Sequence, residues 1–180
     1  NLAAQNCQAA GLTVHAFDLA PARRAVAVDC GLRSVHPAAA MPTFAQRCRL
    51  VIEATGAAPA LAAAVELASA GGEIVMIGAP WGGDANSVPS SRLTRAIFFR
   101  FLRLRSGSEW EIPRQTQPLA LGSHHENSQT VLGWLADGRL QVAPLITHRL
   151  PPARIQEAYL GLRDRKDEYL GVLLQWGNGA

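Results

Sequence analysis

The chain contains no apolar run of membrane-spanning length, no C-x-x-C pair and no G-x-G-x-x-G turn. The first absence excludes a transmembrane helix, which needs about 20 consecutive apolar residues. No signal-peptide pattern opens the sequence either, so a cytoplasmic location is expected. Its three cysteines, Cys7, Cys30 and Cys48, are odd in number and widely spaced. They exclude a disulfide framework or zinc knuckle and read as reduced thiols. Charged residues are only 17%, too few for a disordered or fibrous chain. A net charge of +3 is weak for a nucleic-acid binder, which concentrates its basic residues.

What remains is apolar. With 48% hydrophobic residues over 180 positions, the chain can bury a sizeable core in one or two domains. It begins at Asn1 in the middle of a helical pattern, and a piece of a longer protein is expected.

Helix and strand signals alternate. Residues 1–10 have helical composition and stop at Gly11, and Leu12 to Phe17 read as a buried strand. "PARRAVAVDCG" follows as a helix with Pro21 in its first turn and Gly31 after its end. A short strand is expected near Ser34 to His36, closed by Pro37, and a longer one from Leu50 to Ala54. A helix from about Pro59 to Ala70 should stop at Gly71-Gly72, with "EIVMIGAP" as the next strand. Short connections between such elements argue for a parallel sheet covered by helices. Beyond Pro80 come a Gly/Ser/Pro-rich loop, a short helix, a strand from Phe99 to Arg105, and a long polar connection. Asn127 is the expected cap of the next helix. "PLITHRLP" and "YLGVLLQW" read as strands around an amphipathic helix carrying Ile155, Ala158, Tyr159 and Leu162.

Ligands of open parallel sheets sit beyond the carboxyl ends of the strands. Those positions hold Asp18, Thr55-Gly56 and Gly78-Ala79. An acid at such an end can accept hydrogen bonds from both hydroxyls of a ribose, and small residues let a ring or pyrophosphate approach the backbone. Arg23 could reach back over the ribose. Asp18 is equally suited to a plain strand-to-helix turn, where its carboxylate would take a backbone amide. Both roles stay open at this point.

"GLTVHAFDLAPARR", "LVIEATGAAPALAAAVELASAGGEIVMIGAP" and "PLITHRLPPARIQEAYLGLRDRK" together resemble the second half of medium-chain, zinc-type alcohol and polyol dehydrogenases. The resemblance covers nearly the whole chain, in order. It implies an α/β fold: a partial Rossmann-type, doubly wound parallel sheet lacking its first strand and glycine-rich turn, followed by a C-terminal segment of the catalytic domain. Residues 1–105 would be the dinucleotide-binding domain and 106–180 the return into the catalytic domain. It further implies NAD(H) as cofactor and an alcohol or polyol as substrate, with a homo-oligomer, dimer or tetramer, as the assembly.

Under that resemblance, Asp18 would hold the adenosine ribose with Arg23 beside it. Thr55 and Gly56 would lie against the cofactor, Ile77, Gly78 and Ala79 at its nicotinamide end, and Arg105 and Ser106 by the carboxamide. Catalytic residues and metal ligands are expected at none of the 180 positions, because the family's zinc ligands and proton relay belong upstream of Asn1. Leu170 departs from the family where many relatives carry a basic residue. The rivals are a zinc-free quinone or enone reductase, an S-adenosylmethionine methyltransferase with an antiparallel final hairpin, and a non-catalytic nucleotide sensor.

The histidines read as structural. His124 and His125 belong to a polar loop, His15 to strand packing, and His148 to anchoring a loop. "RAIFFRFLRLRS" interleaves arginine with phenylalanine, and strand alternation would turn its aromatics inward and its arginines outward.

Overall fold

A computed structural model of the chain describes residues 1–78, 90–108 and 111–177. They divide into two compact units, Asn1–Ala38 with Thr130–Ala180, and Ala39–Gln129. Every strand pairing among the described residues is parallel.

In the first unit, helix α1 (Leu2–Ala9) leads to strand β1 (Ala16–Asp18), helix α2 (Pro21–Asp29) and strand β2 (Val35–Pro37). The ladder pairs Ala16 with Val35 and Asp18 with Pro37. The expected strand from Leu12 to Phe17 is thus shorter and displaced. Its partner offers only three residues, and Leu12 is instead held by the preceding helix, its amide donating to Cys7 O at 3.0 Å. Gln5 is the buried polar pin of α1: its amide donates to Gln141 O at 3.0 Å and accepts from Gln141 N at 2.7 Å. With both ends satisfied, the buried amide avoids a desolvation penalty.

The same unit holds β6 (Ile146–Leu150), α6 (Ile155–Asp164) and β7 (Gly171–Leu174), with β6 and β7 paired in parallel. Tyr169 packs its ring where a side chain at Gly161 would stand; a Cβ there would lie 2.4 Å from the ring. His148 stacks on the same ring, centroids 3.6 Å apart.

The second unit is built on β3 (Cys48–Glu53), β4 (Ala68–Met76) and β5 (Arg103–Ser106), in the order β3-β4-β5. Helices α3 (Ala58–Leu67) and α4 (Ser90–Arg100) belong with it. Leu61, Ala64 and Val65 of α3 meet Ile74, Ala96 and Leu102 in one core. Each large aliphatic side chain buried there contributes about 1.5–3 kcal/mol.

Three expectations are corrected in this unit. First, α3 ends at Leu67, and the chain turns extended at Ala68, before Gly71-Gly72. The carbonyls at the helix end are taken by groups distant in sequence: Arg100 donates to Val65 O at 3.0 Å and to Ala68 O, and Gln46 N donates to Glu66 O at 2.8 Å. The glycine pair falls inside β4, where the register against β3 shifts.

Second, Phe99 and Arg100 remain helical, and β5 starts only at Arg103. Phe98, Phe99 and Phe101 are 72%, 63% and 74% exposed, the reverse of the expected packing. The arginine turns inward because α3 offers it carbonyls, which no phenylalanine can satisfy.

Third, His124 and His125 open helix α5 (His124–Ala136) instead of sitting in a loop, and the cap is Ser123 rather than Asn127. The Ser123 hydroxyl is fully buried, accepts from Glu126 N at 3.2 Å and donates to Glu126 Oε2 at 3.0 Å. This is a Ser-x-x-Glu cap, and its signal stands in the sequence.

Candidate functional site

In the first unit, β1 ends at Asp18 and Pro21 starts α2 three residues later. Asp18 Oδ1 accepts the Ala20 amide at 2.8 Å, closing the turn. Arg24 braces the same turn, donating from Nη1 to Asp18 O at 2.9 Å and to Leu19 O at 2.8 Å. Asp18 Oδ2 makes no hydrogen bond among the described residues. Turn residue and available acceptor are therefore one side chain, divided between its two oxygens.

Asp18, Arg23, Arg24, Phe17, Leu145 and Leu170 contribute to the wall of a concavity of about 170 Å³. Arg23 is directed toward the end of the chain. Its Nη2 donates to Lys166 O at 3.1 Å and lies 3.8 Å from Asp167 Oδ1, while its Nε is buried without a hydrogen-bond partner. The structure thus brings Asp18 and Arg23 to one hollow, and gives Arg24 the backbone role that the sequence did not assign.

In the second unit, the three strands end together. The register sets Glu53 against Met76 and Met76 against Ser106, so Thr55-Gly56, Ile77-Gly78 and Ser106 follow at one edge of the ladder. Sequence reading missed the residue that shapes this edge, Glu53. It is 5% exposed, and its carboxylate accepts from Thr55 N at 2.7 Å, Thr55 Oγ1 at 2.5 Å and Gly56 N at 3.2 Å. Its own carbonyl accepts from Ile77 N at 2.8 Å. The one available signal was an acid ending an apolar strand, where burial of a charge requires partners.

At this edge backbone meets backbone. A Cβ on Gly78 would lie 2.5 Å from Gly56 N and 2.8 Å from Gly56 Cα. Only glycine permits that approach, and Gly56 itself has φ +68°, which disfavours any side chain. Ile77 is 53% exposed beside it. Arg105 pairs with Glu73 at 3.4 Å, and Ser106 Oγ accepts from Ser108 N at 3.0 Å. Ala79 lies outside the described residues.

The comparisons with known proteins bear on this arrangement. A family model described as zinc-binding dehydrogenase matches residues 1–110. The chain belongs to the zinc-binding dehydrogenase family. Its α/β fold with parallel sheets matches the C-terminal, Rossmann-type part of medium-chain dehydrogenases. A short chain alcohol dehydrogenase from Escherichia coli CFT073, solved with NADH, is 21% identical with a TM-score of 0.71, covering 96% of this chain and 48% of that one. A 2R,3R-butanediol dehydrogenase from Bacillus subtilis is 17% identical with a TM-score of 0.70, covering 96% and 46%. A zinc-binding dehydrogenase from Sinorhizobium meliloti 1021, solved with NADP, is 21% identical with a TM-score of 0.64, covering 86% and 43%. The chain therefore spans less than half the length of these structures, and at such identities the likeness establishes the fold. No curated protein matches it.

Among the described residues, no three or more histidine, cysteine, aspartate or glutamate side chains form a group able to hold a metal ion. The described residues therefore do not fit the family's catalytic zinc. No described helix is long and apolar enough to cross a membrane.

Proposed function

We propose that this chain is the cofactor-binding part of an oxidoreductase that passes a hydride between an alcohol or polyol and NAD(H). The observation that carries this reading is Asp18, at a strand's carboxyl end, with one carboxylate oxygen spent on its turn and the other available beside a hollow. Two features support the fit of a dinucleotide: the unpartnered Arg23 Nε in the wall of that hollow, and the backbone contact between Gly56 and Gly78.

In this reading Asp18 accepts a ribose hydroxyl and Arg23 flanks it. Thr55 and Gly56 lie against the cofactor, while Ile77, Gly78 and Ala79 meet its nicotinamide end. Arg105 and Ser106 border the carboxamide. The bound nicotinamide supplies or takes the hydride; the residues of this chain bind and orient it. NAD(H) is preferred over NADP(H) because the Asp18 carboxylate repels a 2′-phosphate.

The parallel pairing of β6 with β7 removes support from a methyltransferase, for which an antiparallel final hairpin is expected. The division into residues 1–105 and 106–180, a homo-oligomeric assembly and a cytoplasmic location belong to the same proposal. Comparing kcat/KM of the complete enzyme for NAD and NADP tests it. A clear preference for NADP overturns the cofactor assignment, and absence of binding to either overturns the reading itself.

A further inference from the structure

The face of the β1–β2 ladder holds a second constellation, which the nucleotide reading does not use. Side chains alternate along a strand, so His15 and Phe17 share one face, as do Ser34 and His36. The parallel register places Phe17 opposite His36 and makes the two faces one. There His15 Nδ1 lies 2.9 Å from Ser34 Oγ, and Ser34 Oγ lies 2.7 Å from His36 Nε2. The two ring nitrogens are themselves 3.3 Å apart. Phe17 stacks on the His36 ring at a centroid distance of 5.3 Å and orients it.

A hydrogen-bonded chain from histidine through serine to histidine needs only two links. The third approach, nitrogen to nitrogen, makes a triangle of three Lewis-basic atoms. Donor atoms bound at about 2.0–2.1 Å to one ion stand about 2.8–3.0 Å apart at a right angle and about 3.3–3.4 Å apart at a tetrahedral angle. The two contacts to Ser34 Oγ, 2.9 and 2.7 Å, lie near the first spacing and the nitrogen pair, 3.3 Å, at the second, which suits one face of a distorted tetragonal site.

We propose that His15 Nδ1, His36 Nε2 and Ser34 Oγ form a binding site for a divalent first-row transition ion. Each ring coordinates as the neutral tautomer with its hydrogen on the far nitrogen, the serine coordinates as the intact hydroxyl, and water fills the remaining positions. Imidazole donors suit copper, nickel and zinc, and affinity for such a set rises toward Cu(II). Without the ion, the hydroxyl hydrogen and one ring N–H hold the triangle together. The site lies outside the acidic and cysteine patterns by which metal centres are usually found in a sequence. His15 and His36 are separated by 20 intervening residues, and only pairing of β1 with β2 joins them.

Titrating the complete protein with Cu(II) tests the proposal, with electron paramagnetic resonance as the readout. A bound copper showing hyperfine coupling to two imidazole nitrogens is expected. His15→Gln and His36→Gln should each weaken it about tenfold or more, and Ser34→Ala by less, with thermal melting confirming that the variants fold. The remaining three of the five histidines, His124, His125 and His148, serve as controls. Copper binding unchanged in the His15→Gln/His36→Gln double variant, or abolished instead by His125→Gln, overturns the site. A second measurement needs no variant. Zn(II) should protect His15 and His36, but not His125, from diethylpyrocarbonate in the unaltered protein, and equal modification of all three with and without zinc overturns the proposal.

Discussion

Two carboxylates stand at the ends of parallel strands in this molecule, Asp18 closing β1 and Glu53 closing β3, and they do opposite things. Glu53 is buried and spends both oxygens on three donors of the Thr55-Gly56 turn. Asp18 is half-buried and spends one oxygen on the Ala20 amide. The first is a bracket for backbone; the second leaves one oxygen open. Position in the strand is common to both. Side-chain reach separates them: the longer glutamate folds back over the amides that follow it, whereas the aspartate stops at the first one and leaves its second oxygen beside the concavity.

That contrast can be broken most severely at Glu53. Glu53→Ala removes three hydrogen bonds to a buried carboxylate and releases the Thr55-Gly56 turn, so a loss of about 3 kcal/mol is expected in urea unfolding. Glu53→Gln, which keeps the shape and part of the acceptor set, should lose about 1 kcal/mol. If the two variants prove equally stable, the carboxylate is not the bracket described here.

Next in size is the edge that Glu53 shapes. Gly78→Ala places a methyl group on the Gly56 backbone, where nothing flexible can yield, and should cost about 1–3 kcal/mol. It should weaken NADH binding as well, measured by fluorescence titration of the complete enzyme. Binding unaffected by this change would detach the Gly56–Gly78 edge from the cofactor.

Asp18→Ser sharpens the other side of the comparison. Serine can still accept the Ala20 amide, so stability should change by less than about 1 kcal/mol. The effect should appear in the ligand instead, with NADH affinity falling about tenfold and the gap to NADPH narrowing. Should stability fall and the cofactor preference stay put, Asp18 is a turn residue and nothing more.

The smallest expected effect lies on α6, far along the chain from both carboxylates. Arg154, hydrogen-bonded to Glu157, holds that carboxyl below its usual range, and Arg163 does the same to Asp164. A depressed acid stabilises the fold fully above its ordinary range and loses that contribution as pH falls through the lowered value. Acid titration of stability should therefore show a slight decline on the low side of the carboxylate range, reduced in Glu157→Gln. An identical profile in that variant removes the pair from the account.

That the candidate residues stand at strand ends was legible before folding, for a definite reason. Asp18, Thr55, Gly56 and Gly78 follow apolar runs directly, and a strand's end is a local property. The arginines were less legible. Arg23 and Arg24 are neighbours of the same type, and only the placement of Lys166 O and Leu19 O separates their roles. The Ser123 cap was written plainly as Ser-x-x-Glu, but Asn127 offered a competing start within the same stretch. Burial of the Ser123 hydroxyl decides between them.

The sequence by itself determined the alternation of helix and strand, the parallel pairing that helical crossovers allow, and the small residues at the strand ends. These follow from periodicity and backbone sterics, which act over a few residues. Only the tertiary structure decided that Arg100 turns inward while Phe98, Phe99 and Phe101 face solvent, that Glu53 is consumed by its own turn, and that His15 meets His36. Each outcome depends on which groups arrive from elsewhere in the chain. A buried carbonyl at Val65 must be satisfied, and the donor that reaches it lies 35 residues away.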